Sequence, residues 1–188
     1  MRCKRTRLSA ALMVAAVTAA GCGSGASEQD PKSSTPVSTA AQAPAPPAPL
    51  TADPARSAED TMVLVAETVL TVYPQSEEPG DAWWRADEVL SPEGQFPHRA
   101  EKVEVPRGRG QWLDWQSRGI EMVEAQATVT NEDHPPDTDT IAARVLSVDL
   151  TEHAPRGGRR LVERQTYYVT VTRGGADEPW LVEALMQP

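Results

Sequence analysis

Cys22 lies where a short apolar run ends, and this position gives it the clearest chemical meaning in the chain. An uncharged stretch of 13 residues, from Leu8 to Ala20, follows four cationic residues and leads to it. As a helix this stretch would be roughly 20 Å long, short of the roughly 30 Å hydrocarbon core of a bilayer. A charged start, a short apolar middle and small residues at the end are typical of a secretory signal peptide, because the peptidase must bind the extended chain closely. The sequence therefore predicts a signal peptide over residues 1–21.

The end of this run, Ala19, Ala20, Gly21 and Cys22, resembles the lipobox of bacterial lipoproteins. The resemblance implies cleavage between Gly21 and Cys22, a diacylglycerol on the Cys22 thiol, and palmitate-type acyl chains that anchor the protein to the outer face of the cell membrane. Each buried methylene contributes about 0.8 kcal/mol, so two chains hold where one would be marginal. The alternative is an ordinary cleaved signal with an incidental cysteine. Lipidation is favoured because Cys3, the other cysteine, lies in the leader, and Cys22 would otherwise be a lone exported thiol.

Four side chains between residues 131 and 140 have the chemistry of a metal site: Asp133, His134, Asp137 and Asp139. Hard oxygen ligands of this kind suit calcium. Two prolines interrupt the ligand spacing, however, and no glycine follows at the turn position that a calcium loop requires. We therefore expect a solvated hairpin loop and no metal or other cofactor.

The three histidines are the remaining candidates for acid–base chemistry. His98, His134 and His153 each lie in polar, loop-like sequence. Sequence alone places neither a nucleophile nor a substrate pocket beside any of them. The chain also lacks the motifs of serine hydrolases, phosphate-binding loops, zinc peptidases and paired-cysteine redox proteins. No catalytic residue is predicted, and the sequence favours a non-enzymatic protein.

Two tryptophans stand out in the stretch RGRGQWLDWQSRG. Trp112 and Trp115 are three residues apart, so one helical turn or a compact loop would put both rings on one side. They could cover the open end of the domain as part of its core. They could instead form an exposed contact for a protein partner, since interfaces favour Trp and Arg.

Residues 23–54 are predicted to form a disordered tether. This stretch of 32 residues is rich in Ser, Thr, Ala, Gly and Pro, and it cannot bury enough apolar area to offset its ordering entropy. It would span roughly 30 Å as a coil or about 100 Å as polyproline II. Without the four leader cations, 14 of the 18 basic residues remain against 27 acidic ones, a charge of −13. That charge argues against binding of nucleic acid.

Residues 55–188 read as one domain that begins with helices. Ser57 and Asp60 mark a helix start, and an apolar stripe follows at three- and four-residue spacing: Met62, Val65, Ala66, Val69, Leu70 and Tyr73. We expect this helix to end at Pro74 and a second helix to cover residues 81–90. Ser91 and Pro92 would then break the second helix.

Four strands are predicted after residue 119, over residues 120–129, 140–150, 161–172 and 179–185. In the third strand Tyr167, Val169 and Val171 share one face, and in the fourth Trp180, Val182 and Ala184 do. The links HPPDTD, PRGGRR and RGGADEP carry turn signals. Short polar links favour an antiparallel meander. The predicted fold class is α+β, with N-terminal helices packed on a curved antiparallel sheet of about four strands.

This order of elements resembles the nuclear transport factor 2-like fold, also called cystatin-like. The resemblance covers residues 55–188, and its best local carrier is the ending GGADEPWLVEAL. It implies kinship with ketosteroid isomerase-like enzymes, small-ligand binders, assembly subunits of type IV secretion systems and other envelope proteins. We expect an interaction or assembly module in the cell envelope, for which the resemblance suggests a conjugation-type apparatus as the context. Its interior would be filled by Val65, Val69, Tyr167, Val169, Trp180 and Val182. The alternative is a domain whose interior binds, or less readily converts, a small apolar ligand.

Overall fold

The computed structural model describes residues 44–96, 99 and 108–188. Its first helix, α1, covers Ala58–Leu70 and begins where the sequence predicts. The side chain of Ser57 caps it by accepting a hydrogen bond from the backbone N–H of Asp60 at 3.1 Å. The helix ends before the predicted Pro74, because Val72 leaves it to exchange two backbone hydrogen bonds with Val123 of the sheet, at 3.0 and 2.9 Å.

The predicted second helix is broken into two short pieces. Helix α2 covers only Asp81–Trp84, and a 3-10 turn follows at Asp87–Val89. Leu90 then forms a parallel bridge with Val182, so this segment lies beside the last strand. A further helix, α3, covers Gly108–Ser117, where the sequence left a helical turn or a compact loop open.

Four antiparallel strands form one sheet in the order β1-β2-β3-β4: Met122–Val129, Ile141–Ala154, Gly158–Thr172 and Leu181–Met186. The predicted α+β class and the four-strand meander are confirmed. The middle hairpin is longer than predicted, because the link between β2 and β3 shrinks to a tight turn at Pro155–Gly157. Arg156 there has a φ of 68° and Gly157 a φ of 82°, the left-handed region that short turns often use.

Two bulges change which residues face the helix. Thr170 pairs with Ala184 but Val171 pairs with Val182, so Glu183 is an extra residue in β4. As a result Ala184 leaves the face of Val182, contrary to the prediction, and Leu185 packs against the core instead. A second bulge, at Val162 of β3, shifts the register between Leu150 and Thr151 of β2.

Helix α1 lies on the inner face of the sheet, and apolar side chains fill the space between them. All six residues predicted to meet there are buried: Val65, Val69, Tyr167, Val169, Trp180 and Val182. Leu50, in the predicted tether, is half-buried and packs against the same core, and its N–H donates to the carbonyl of Arg85 at 2.6 Å. The last residues of the predicted tether thus take part in the packing of the domain.

The free edge of β1 is closed by α1 and the residues after it. The N–H of Val123 donates to Val72, that of Ala125 to the hydroxyl of Thr71 at 2.9 Å, and that of Ala127 to the carboxylate of Glu67 at 3.0 Å. Three alternate residues of β1 therefore have a partner on the side away from β2. The Val72 backbone and the side chains of Thr71 and Glu67 thus accept the hydrogen bonds that a neighbouring strand would otherwise accept.

Candidate interaction surface

The residues of the predicted lipidation site, Gly21 and Cys22, lie outside the described residues, as does His98. Their chemistry remains a prediction from the sequence. Within the described ranges, none of the helices combines the length and apolar character needed to cross a bilayer.

Trp112 and Trp115 lie on one side of α3, as their spacing predicts, and both are buried. Their exposed fractions are 5% and 2%, and the two rings meet edge to face at 6.5 Å between centroids. The interpretation as exposed partner contacts is therefore wrong, and the alternative interpretation as core residues is right. The cause is that α3 lies with this side against the sheet, so that Trp115 reaches Glu152 of β2.

Glu152 is a buried carboxylate with several hydrogen bonds, and the sequence does not predict it as a site residue. It is buried, and it accepts hydrogen bonds from Trp115 Nε1 at 2.8 Å, from Arg118 at 2.7 and 2.8 Å, and from Arg160 at 2.8 Å. The Arg118 guanidinium, and after it Arg160 and Trp115, lower the Glu152 pKa to about 2 despite burial. The sequence does carry one indication that Glu152 is buried: it continues the alternation that places Leu146, Val148 and Leu150 on the inner face of β2.

These bonds give Glu152 the role of a structural joint. The carboxylate links β2 to Trp115 on α3 and to Arg160 on β3, and Arg118 follows directly after α3. Its two oxygens accept four hydrogen bonds from Trp115, Arg118 and Arg160, so the carboxylate is held ionised at neutral pH. A catalytic acid or base needs the opposite arrangement.

A second buried charge, Arg85, joins the end of α1 to the segment that follows it. Its guanidinium donates to the carbonyls of Thr68 and Thr71 at 2.9 and 2.6 Å and pairs with Glu77. It also lies over the ring of Tyr73, 5.5 Å from the centroid. Arg85 thereby satisfies carbonyl groups that a helix end leaves without partners.

The acidic stretch predicted as a solvated hairpin loop is such a loop, joining β1 to β2. Its residues 131–140 are exposed. Arg144 of β2 holds the loop in place with two hydrogen bonds to Asp137, at 2.7 and 2.6 Å, and one to Glu59 of α1 at 2.7 Å. His134 lies 3.2 Å from the same guanidinium through Nδ1. The Arg144 guanidinium lowers the pKa of the Asp137 carboxyl by this pairing.

Beside Arg144 lies an open polar groove of about 530 Å³, lined by Glu59, residues 129–134 and Arg144. Asp133 and His134 border it, whereas Asp139 does not. Among the residues with described positions, no three His, Cys, Asp or Glu side chains come together in a way that could hold a metal ion. The described geometry therefore gives no support to a calcium site in this loop.

His153 lies in β2 and not in a loop. On the outer face of the sheet, its Nε2 is 2.8 Å from the carboxylate of Glu124, which also accepts from Arg159 at 3.0 Å. The three side chains form a hydrogen-bond network on the surface across β1, β2 and β3.

The N-terminal part of β3 forms an open edge of the sheet. Strand β3 pairs with β2 along its whole length, but β4 pairs only with Tyr168–Thr172. Residues 158–166 of β3 extend beyond β4, and no backbone or side chain within 44–96, 99 and 108–188 hydrogen-bonds to their backbone on that side. We call residues 158–166 the β3 edge. It contrasts with the edge of β1, which is closed.

Exposed cations line the β3 edge of this acidic protein. The side chains of Arg159, Arg160 and Arg164 are 60%, 66% and 67% exposed. Arg164 makes two hydrogen bonds to Asp149, at 2.5 and 2.8 Å, and this pairing lowers the Asp149 pKa. Between these arginines Leu161 is 57% exposed. The sequence shows the arginines, but only the unequal lengths of β3 and β4 reveal that they border an open edge.

Comparisons with models of protein families, with curated proteins and with solved structures found no match to this chain.

Proposed function

We propose that this protein is a non-enzymatic lipoprotein that presents an interaction module at the outer face of the cell membrane. The context of Cys22 supports the anchor, and a domain of the nuclear transport factor 2-like type would be the module. Its partner would be a protein of the cell envelope, such as a component of a conjugation-type secretion apparatus.

The observation that carries the proposed module is the β3 edge. One edge of the sheet, that of β1, has its backbone donors closed by Val72, Thr71 and Glu67. The other edge leaves the backbone of residues 158–166 without a neighbouring strand among the described residues. A row of backbone donors and acceptors of this kind is a template for an added strand. A module that recruits another chain would need such a surface.

The buried polar groups support a structural and not a catalytic use of the interior. Glu152 and Arg85 each make hydrogen bonds that join elements of the fold. The side chains that would line a cavity for an apolar ligand, among them Val65, Tyr167 and Trp180, contact one another in the core cluster. No specific observation favours the interior-ligand alternative.

The membrane anchor is tested by Cys22→Ser. We expect this variant either to appear in the soluble fraction or to accumulate as unprocessed precursor, because the acceptor of the diacylglycerol is gone. Ser24→Ala, two residues away, is the matched control and should fractionate with the membrane. Membrane fractionation and intact mass measure both results. Unchanged processing and location of Cys22→Ser would refute the lipoprotein reading.

The interaction module is tested by crosslinking in cells. A photoreactive amino acid placed at Arg159, on the β3 edge, should capture a protein partner of the envelope. The same probe at Arg56, near the start of α1, is the control and should capture none. Failure of the Arg159 position and of further positions on the domain to capture any protein would contradict the proposed module.

A further inference from the structure

We propose that the β3 edge binds an extended, acidic segment of a partner protein by strand addition. This inference deepens the proposed interaction function and rests on it. The segment would lie antiparallel or parallel to β3 beyond the end of β4. Backbone hydrogen bonds would supply affinity, and its side chains would meet the arginines of the edge.

The length of the edge suits a bound strand. Residues 158–166 extend roughly 30 Å at about 3.3 Å per residue. Strand β4 leaves this side of β3 at Tyr168, which pairs with Met186. An added strand of six to eight residues would therefore continue the sheet beyond β4 without displacing it. Alternate residues of the β3 edge would hydrogen-bond to the bound segment through their N–H and carbonyl groups.

Charge selects the class of occupant. Arg159, Arg160 and Arg164 each keep a well-exposed guanidinium, and their present bonds leave the Nη1 donors without partners in the described part of the chain. Arg159 and Arg164 lie on the outer face, and Arg160 on the inner face, as their pairing with His153, Asp149 and Glu152 shows. On the outer face a bound strand would meet Arg159 and Arg164, so acidic side chains at its alternate positions would find partners, whereas its inner-facing side chains would meet both Arg160 and Glu163.

The same charges argue against a second copy of this chain as the occupant. Residues 159–164 read RRLVER, three cations and one anion. Antiparallel pairing of two such edges would bring six cations and two anions together. Like charges on paired strands destabilise the pairing. Leu161, exposed between the arginines, would contact an apolar residue of the acidic segment.

The test uses the full mature chain with Cys22→Ser, to keep it in solution, and two fluorescent peptides. One alternates glutamate and valine over eight residues, and the other alternates lysine and valine. We expect the glutamate peptide to bind by fluorescence anisotropy, with affinity that falls as salt rises, and the lysine peptide not to bind. Hydrogen exchange should show that the glutamate peptide slows exchange at amides of residues 158–166.

Charge reversal provides the matched variants. Arg159→Glu should weaken binding of the glutamate peptide by about tenfold or more. Arg56→Glu makes the same change at the distant start of α1 and should leave binding unchanged. Thermal unfolding of both variants checks that each is folded, and Arg164→Glu serves as a second edge variant if Arg159→Glu is destabilised.

Several results would overturn the inference. Amides of residues 158–166 that exchange slowly without peptide would mean that the chain itself covers the edge. Protection of the same amides that grows with protein concentration would identify a second copy as the occupant. Equal binding of both peptides, or of neither, would refute the acidic partner. If crosslinking at Arg159 still captured an envelope protein in that last case, the proposed module would stand and only the chemistry of its partner would be wrong.

Discussion

The carboxylate of Glu152 accepts four hydrogen bonds from Trp115, Arg118 and Arg160, and these hold its pKa at about 2. In the unfolded chain the carboxyl would titrate near its ordinary value of 4.5. A lowered folded-state pKa stabilises the protein above the unfolded value, and this contribution disappears as the pH falls toward 2. We expect the free energy of unfolding of the wild type to fall by up to about 3 kcal/mol more than that of Glu152→Gln between pH 6 and pH 2.

Urea unfolding at a series of pH values measures this difference. Asp137 and Asp149 also have lowered pKa values, and since both variants retain them, their effect cancels in the comparison. Glu163→Gln, an exposed change on β3, should follow the wild-type curve. Parallel curves for wild type and Glu152→Gln would show that the Glu152 bonds do not survive in solution.

At the scale of elements, the segment before α1 divides at Leu50. Leu50 packs against the core and donates its N–H to Arg85, whereas residues 44, 45 and 47–49 are exposed. Deletion of residues 23–48 should therefore leave the thermal midpoint unchanged. Deletion of residues 23–54 should lower it by a few degrees, since a half-buried leucine contributes about 1 kcal/mol. Differential scanning calorimetry measures both midpoints.

Leu50→Ala in the full mature chain separates packing from chain length. It should reproduce most of the loss seen on deletion of residues 23–54. Thr51→Ala is the control at the next residue, which is exposed. Equal midpoints for both deletions would mean that the Leu50 contact adds nothing to stability.

Local patterns predicted the elements that depend on local sequence. Ser57 with Asp60 marked the start of α1, and alternation placed Tyr167 and Val169 on the inner face of β3. What the patterns missed depends on partners distant in sequence. The end of α1 is fixed by Val123, and the burial of Trp115 by Glu152. The bulge at Glu183, which changes the faces of Ala184 and Leu185, cannot be predicted from the alternation of apolar and polar residues. An extra residue in one strand is recognised only from its pairing with the neighbouring strand.

At the scale of the whole molecule, stability should depend on the filled space between α1 and the sheet. Val182 is fully buried there, opposite Val171. Val182→Ala should cost on the order of 1 to 3 kcal/mol, from lost burial and from the cavity that remains. Gln126→Ala, an exposed change on β1, should cost much less. Denaturant unfolding compares the two, and a loss below about 0.5 kcal/mol for Val182→Ala would contradict a tightly packed interior.

Docking of α1 also keeps β1 from acting as a template for other chains. The amides of Val123, Ala125 and Ala127 are occupied only while Val72, Thr71 and Glu67 lie beside them. If α1 lifted away while the sheet stayed formed, these donors and the apolar inner face would reach solvent together. Such a species has two features that favour aggregation, an unpaired strand edge and an exposed apolar surface. Aggregation on heating would then begin with partial opening at the first helix, and its rate would follow that opening and not complete unfolding.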